Sequence, residues 1–242
     1  MIPSSIKRVD GRRFDELRDP KISWDPMGFA LSSLIISTGQ TSVLCSVSLE
    51  EGSPPWREGK GWLSAEYRLL PGSTPNRNKR ELLKLSGRTQ EIQRLIGRSL
   101  RAVVDLEALS EKTILIDCDV IQADAGTRTA AITGAWVALQ KAFNLLCLDG
   151  TLDKNPMSHQ VAAVSVGLMH CHPLLDLDYS EDSQVDVDLN VVMSSNLRLL
   201  EVQGTAERAA FTREELNKMI DLAQLGLEKL HQFQIASLED EN

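Results

Sequence analysis

Gly126-Thr127-Arg128-Thr129 stands between an alternating stretch, Thr113–Gln122, and an Ala-rich run, Arg128–Cys147. A glycine turn, two hydroxyls and a guanidinium at a helix start make an anion site. The first-turn N–H groups lack partners there, and the helix dipole presents its positive end. The guanidinium adds a planar fork matched to phosphate. A second start of the same kind, Ser86-Gly87-Arg88-Thr89, precedes another helical run. A third feature is acidic: Asp178, Glu181, Asp182, Asp186 and Asp188 fall within eleven residues. On a strand, Asp186, Asp188 and Asn190 share one face. Carboxylates so placed repel each other unless a cation or a proton offsets them. Oxygen ligands of this kind suit Mg²⁺ or Mn²⁺, with phosphate oxygens completing the shell. One carboxylate could instead act as a general acid. Helix caps and a solvated edge strand would leave the same pattern. Two anion sites beside an acidic cluster favour chemistry on phosphate.

Other motifs carry less. His170-Cys171-His172 puts neighbouring side chains on opposite faces of a strand, which does not build a zinc site. No G-x-S-x-G, Walker A or G-x-G-x-x-G pattern occurs.

The elements that must hold these residues can be read from periodicity. Phe29–Ser37 and Ser42–Leu49 form a hairpin around Thr38-Gly39-Gln40-Thr41. Glu51–Arg80, broken by Gly and Pro, reads as a long loop of the kind that is functional or mobile. Thr89–Leu109 is helical, with Ile92, Leu95, Ile96 and Val103 on one stripe and Arg94, Arg98 and Arg101 on another. In strand Thr113–Gln122, Ile114, Ile116, Cys118 and Val120 oppose Asp117 and Asp119. Val161–Cys171 is a buried strand, and Gln184–Met193 with Leu197–Gln203 a second hairpin. Thr212–Phe233 is a helix, with Thr212 and Glu215 as a capping box. Residues 237–242 form an acidic, disordered tail. The mixed order of strands and helices gives an α/β (α+β) class with mixed sheets.

The chain has 242 residues, which fits one domain of two intimate lobes, roughly 1–150 and 151–236. No apolar run reaches the length of a membrane span, and the first eight residues lack an apolar signal core. Four widely spaced cysteines form no C-x-x-C pair, so a reduced, cytoplasmic protein with no membrane association is expected. The net charge of −8 argues against a polyanionic partner until its distribution is considered. Arg68–Arg101 holds nine basic and two acidic residues, a local +7, which leaves −15 on the remainder. A basic surface on an acidic protein can still meet nucleic acid.

Many ordered motifs together resemble the ribonuclease PH family over almost the whole chain. They are Arg8-Val9-Asp10-Gly11-Arg12 with Glu16-Leu17-Arg18, Ala65-Glu66-Tyr67, the run 87–96 from Gly87-Arg88-Thr89 to Ile96, and the run 117–124 from Asp117 to Asp124. Gly126–Gly134, Val185–Met193 and Glu201–Glu207 complete the set. The resemblance implies a fold shared with polynucleotide phosphorylase and exosome ring subunits, with βαβα-type lobes. It implies a phosphorolytic 3′→5′ exoribonuclease, or tRNA nucleotidyltransferase, in which inorganic phosphate is co-substrate. Such an enzyme trims tRNA precursors and other RNA 3′ ends, ribosomal RNA among them, and releases nucleoside 5′-diphosphates. By motif, Arg88, Gly126, Thr127 and Arg128 bind the attacking phosphate. Asp182 and Asp188 match the family's two carboxylates, acting through Mg²⁺ (or Mn²⁺) or as a proton donor. Arg68, Arg77, Arg80, Arg94 and Arg98 would guide RNA. A homohexamer, a trimer of dimers, is implied as well. The chain departs from the family in having Gly72 after its loop proline, where arginine is usual, and Arg68 where glycine is common.

Overall fold

The structure, a computed structural model, describes residues 8–240. Residues 1–7 and 241–242 lie outside it, so it does not bear on the expectation of a missing signal core or on the last two tail residues.

Two sheets share one long helix. The first sheet has the order β1-β2-β3-β5-β4, formed by Pro20–Trp24, Ser32–Thr38, Thr41–Glu51, Trp62–Leu69 (β4) and Lys112–Gln122 (β5). Only β4 runs parallel to its neighbour β5; the other pairings are antiparallel. The expected hairpin closes at Thr38↔Thr41, with Gly39 at φ +57. That value lies in the left-handed region open to glycine, and a Cβ there would sit 2.7 Å from Cδ of Arg18. The second sheet, β7-β6-β8-β9, is fully antiparallel. Its strands are Val161–Met169 (β6), His172–Leu175 (β7), Val187–Ser194 (β8) and Leu199–Ala206 (β9).

Helix α2, Thr127–Leu148, lies between the sheets. Its 22 residues are apolar enough to satisfy a membrane-span criterion, which corrects the expectation that no run would. The apolarity has another cause here. Both sides of the helix face protein, so it is apolar on most of its circumference. Its small residues let the sheets come close: a Cβ on Gly134 would meet Cγ2 of Ile36 at 2.6 Å. Strand alternation then sorts the second sheet. Val161, Ala163 and Val192 pack with α2, while Ala162, Val164, Val166, Leu189 and Val191 turn to α4, Arg213–Glu239. Met219, Leu222, Leu227 and Leu230 of α4 are buried there, each stabilising the sheet by roughly 1.5–3 kcal/mol. Helix α1, Gly87–Arg101, packs on β4 and α2.

Several expectations are corrected. The supposed loop 51–80 contains β4, whose Leu63, Ala65 and Tyr67 point inward. Flanking Gly and Pro hide that short alternation. Helix α1 ends at Arg101, and Leu106–Leu109 forms a separate 3₁₀ turn. Helix α4 continues to Glu239, so the tail is helical through that residue. Leu230, Phe233, Gln234, Ser237 and Leu238 extend its inward stripe, which holds the last turns against the core. Strands β1 and β7 and the four-residue helix α3, Tyr179–Asp182, have too little length to show a period.

Candidate phosphate and RNA site

Gly126 is the N-cap of α2. Its φ of +64 permits the turn, and no side chain caps the helix. The first intrahelical bond runs from Ala130 N to Gly126 O. Among the described residues, the N–H groups of Thr127, Arg128 and Thr129 therefore have no backbone acceptor. They form an open donor set at the positive end of a long helix. Helix α1 opens differently: the Ser86 side chain accepts from Thr89 N.

One cavity of about 1510 Å³ brings together Arg88, Gly126, Thr127, Arg128, Asp182 and Asp188. All six site residues expected from sequence for phosphate binding and catalysis thus share its wall. The five arginines expected to guide RNA lie outside that wall. Arg77, Arg80 and Arg94 are exposed. Arg68 is held by Tyr67 O, Gln93 and Glu66. Arg98 pairs with Glu201 on β9 at 2.8 Å.

Alternation explains how the acids reach the cavity. Asp188 and Asn190 leave β8 on the face opposite Val187, Leu189 and Val191, toward α2. Asn190 Nδ2 donates to Asp188 Oδ2 at 3.2 Å. Burial, and next the repulsion of Asp182, pushes the Asp188 carboxyl up to about 6, against the pull of Arg128. Burial also raises Asp182, while Arg88 and Arg128 oppose it. Asp182 therefore feels both guanidiniums, and Asp188 feels Asp182 and Arg128.

The remaining acids of that cluster have structural partners. Asp178 caps α3 by accepting from Glu181 N at 3.0 Å. Glu181 is buried in a two-pronged pair with Arg8, both contacts at 2.7 Å. Asp186 does not share the face of Asp188 as expected. It precedes β8, and its Oδ2 accepts from His170 N at 3.0 Å, latching the β6–β7 turn.

Residues that the motif reading left without a role complete the site. Arg128 Nη1 donates to Gln203 Oε1 at 2.6 Å, and Gln203 Nε2 to Glu91 Oε1 at 3.2 Å. This chain links α2, β9 and α1. Glu207 and Arg208 line the cavity beside Asp182. Arg18, 5% exposed, pairs with Asp176 and donates to Asp124 O at 2.6 Å, just before the Gly126 turn. Tyr67 reaches Thr127 from β4, hydroxyl to hydroxyl at 2.8 Å. Tyr67, Arg18 and Gln203 all fall inside motifs of the sequence, but their partners lie 60 or more residues away.

Family models describe the same chain. The "3′ exoribonuclease family, domain 1" matches residues 16–143, and "domain 2" of that family matches 159–226. A ribonuclease PH of Prochlorococcus marinus (strain MIT 9313) is 66% identical over the full length of both chains. One of Parasynechococcus marenigrum (strain WH8102) is 68% identical over 94% of this chain and 92% of that protein. Among solved structures, rice Rrp46 superposes with a TM-score of 0.80 at 18% identity, covering 96% of this chain and 100% of that one. A chain of the Archaeoglobus fulgidus exosome with RNA bound to the active site gives 0.81 at 21% identity, covering 93% and 92%. These two likenesses concern the fold, in which one mixed and one antiparallel sheet flank a central helix. The chain belongs to the 3′ exoribonuclease family, among its ribonuclease PH members.

Proposed function

We infer that this protein is a phosphate-dependent 3′→5′ exoribonuclease, a tRNA nucleotidyltransferase that trims tRNA precursors. The observation that carries the reading is the uncapped N-terminus of α2, with Arg88 and Arg128, facing Asp182 and Asp188 across one cavity. Inorganic phosphate would be held by the N–H groups after Gly126, by the Thr127 hydroxyl and by the two guanidiniums. A phosphate oxygen bonds to the phosphorus of the terminal phosphodiester, and the bond to the preceding ribose 3′-oxygen breaks. That oxygen takes up a proton, and a nucleoside 5′-diphosphate leaves. Two anions must approach in line, so positioning and charge neutralisation carry the catalysis. The chemistry is reversible, and the levels of phosphate and diphosphate set its direction.

Asp182 and Asp188 fit a divalent cation. They are two mutually repelling oxygen donors on an open wall. Mg²⁺ is commonly held by one or two carboxylates, with substrate phosphates and water completing its shell. A bound Mg²⁺ or Mn²⁺ would supply charge stabilisation to the phosphoryl oxygens. Asp188, pushed up to about 6, is also placed to give a proton to the leaving oxygen. Arg77, Arg80 and Arg94 are the exposed cations that would guide the RNA, with Arg68 and Arg98 tied to the site's frame. We further propose that the two lobes act as one catalytic unit, that copies assemble as a homohexamer, and that the enzyme works in the cytoplasm. Phe29, Leu82 and Leu83, large apolar side chains left exposed, support assembly. A stable, active monomer on dilution would overturn the hexamer.

The test is a tRNA precursor with extra 3′ nucleotides, incubated with Mg²⁺ in the presence and absence of inorganic phosphate. Diphosphates released only with phosphate are expected. Monophosphates released without phosphate would establish a hydrolase instead.

A further inference from the structure

Tyr67 leaves β4 pointing inward and has no solvent exposure. A buried phenol needs a partner for its O–H. Among the described residues, its hydroxyl bonds only Thr127 Oγ1, at 2.8 Å. Thr127 is the first residue of α2 and lines the cavity; Tyr67 does not. The phenol therefore acts from behind the cavity wall.

A hydroxyl has one proton and two lone pairs. If Tyr67 donates, Thr127 Oγ1 is satisfied as an acceptor, and its own proton is free to turn into the cavity. If Thr127 donated instead, its proton would be spent on the phenol and the cavity would face only lone pairs, which repel an anion. Burial pushes the Tyr67 phenol up, so it keeps a proton to donate. Thr127 and Arg128 also line the cavity, and their N–H groups have no backbone acceptor among the described residues, so the neighbouring groups on this turn are donors too.

We propose that Tyr67 is a positioning residue for the phosphate site: it donates to Thr127 Oγ1 and so commits the Thr127 hydroxyl proton to an oxyanion in the cavity. The proposal rests on the phosphorolytic reading and deepens it. It assigns to β4, whose last residue Leu69 borders the cavity, a share in phosphate affinity.

Tyr67→Phe removes one oxygen and keeps the ring that fills the core. Its KM for inorganic phosphate should rise about 3- to 10-fold, the range of one net hydrogen bond. Circular dichroism and Tm check that the variant is folded, and rates are referred to the folded fraction. Thr127→Val should raise the same KM by at least as much, and Thr127→Ser, which restores a hydroxyl there, should recover most of that loss. The double variant Tyr67→Phe/Thr127→Val should match Thr127→Val alone, because Tyr67 acts through Thr127. An unchanged phosphate KM in Tyr67→Phe would overturn the proposal, as would single effects that multiply in the double variant. A lowered Tm with unchanged kinetics would reduce Tyr67 to a core residue. The phosphorolytic reading is tested separately: if the unsubstituted chain releases no diphosphate, that reading fails before the variants are compared.

Discussion

Arg18 grips Asp176 with one edge of its guanidinium: Nη2 lies 2.7 Å from Oδ1 and Nε 3.1 Å from Oδ2. Both residues are buried, and the Asp176 carboxylate also accepts from the Arg18 backbone N–H at 2.8 Å. The third nitrogen, Nη1, holds Asp124 O. One side chain thus ties the turn before Gly126 to the strand exit that leads into α3 and Asp182. The contact is close enough that a Cβ on Gly126 would lie 2.7 Å from Nη2.

Removing Arg18 leaves the buried Asp176 carboxylate with only the longer contact to Arg12 at 3.7 Å. Arg18→Ala should lose about 3–5 kcal/mol of stability, as broken buried pairs do. Urea unfolding checks it. A loss below 1 kcal/mol would mean that water replaces the guanidinium freely.

Arg128→Ala and Asp188→Asn should each slow phosphorolysis by at least ~10²-fold, the scale of one preorganised stabiliser. Single-turnover rates at saturating RNA and phosphate make the comparison. Turnover near that of the unsubstituted chain in either variant would remove its residue from the reaction.

Asp188 also makes stability depend on pH. Its carboxyl is raised from 3.8 to about 6 in the folded chain. The folded state therefore binds more protons than the unfolded state between those values, and stability falls as pH rises through about 6. Without divalent cations, Asp188→Asn should be the more stable protein at pH 8, by up to about 3 kcal/mol. The advantage should vanish near pH 4. Thermal melts in a chelator across that range measure it, and a constant difference would contradict the assigned cause.

RNA affinity should fall with salt. Arg77→Ala and Arg80→Ala should each lower the slope of log K against log salt by about 0.7–0.9, since each of these exposed cations can meet a phosphate. Neither makes an ion pair among the described residues, whereas Arg98 is held by Glu201. Arg98→Ala should therefore alter the slope less and loosen the α1–β9 contact more. Equal slopes for all three variants would place the RNA path elsewhere.

The Gly126–Arg128 side of the cavity was legible in the sequence because it is local. A glycine, a hydroxyl and an arginine at a helix start need only the helix behind them. The acidic side was legible as a cluster and not residue by residue. Asp178, Glu181, Asp182, Asp186 and Asp188 look alike in one dimension. What separates them is Arg8, 173 residues from Glu181, the turn at His170, and the face of β8. Tyr67 was hidden by a stretch rich in breakers, and Gln203 by its ordinary composition. Long-range partners decide such roles, and periodicity carries no record of them.

The two walls of the cavity are far apart along the chain, and synthesis runs from the N-terminus. Residues 88–128 can gather on the first sheet while residues 182–208, which bring Asp182, Asp188 and Gln203, are still unmade. At roughly 5–20 residues per second the interval lasts several seconds or more. During it, α2 lacks the β6 surface that covers one flank, and Arg18 lacks Asp176. A nascent or truncated chain can gather phosphate donors but holds neither carboxylate against them. The donor wall thus precedes the carboxylate wall in synthesis, and the two meet only when the second sheet closes over the helix.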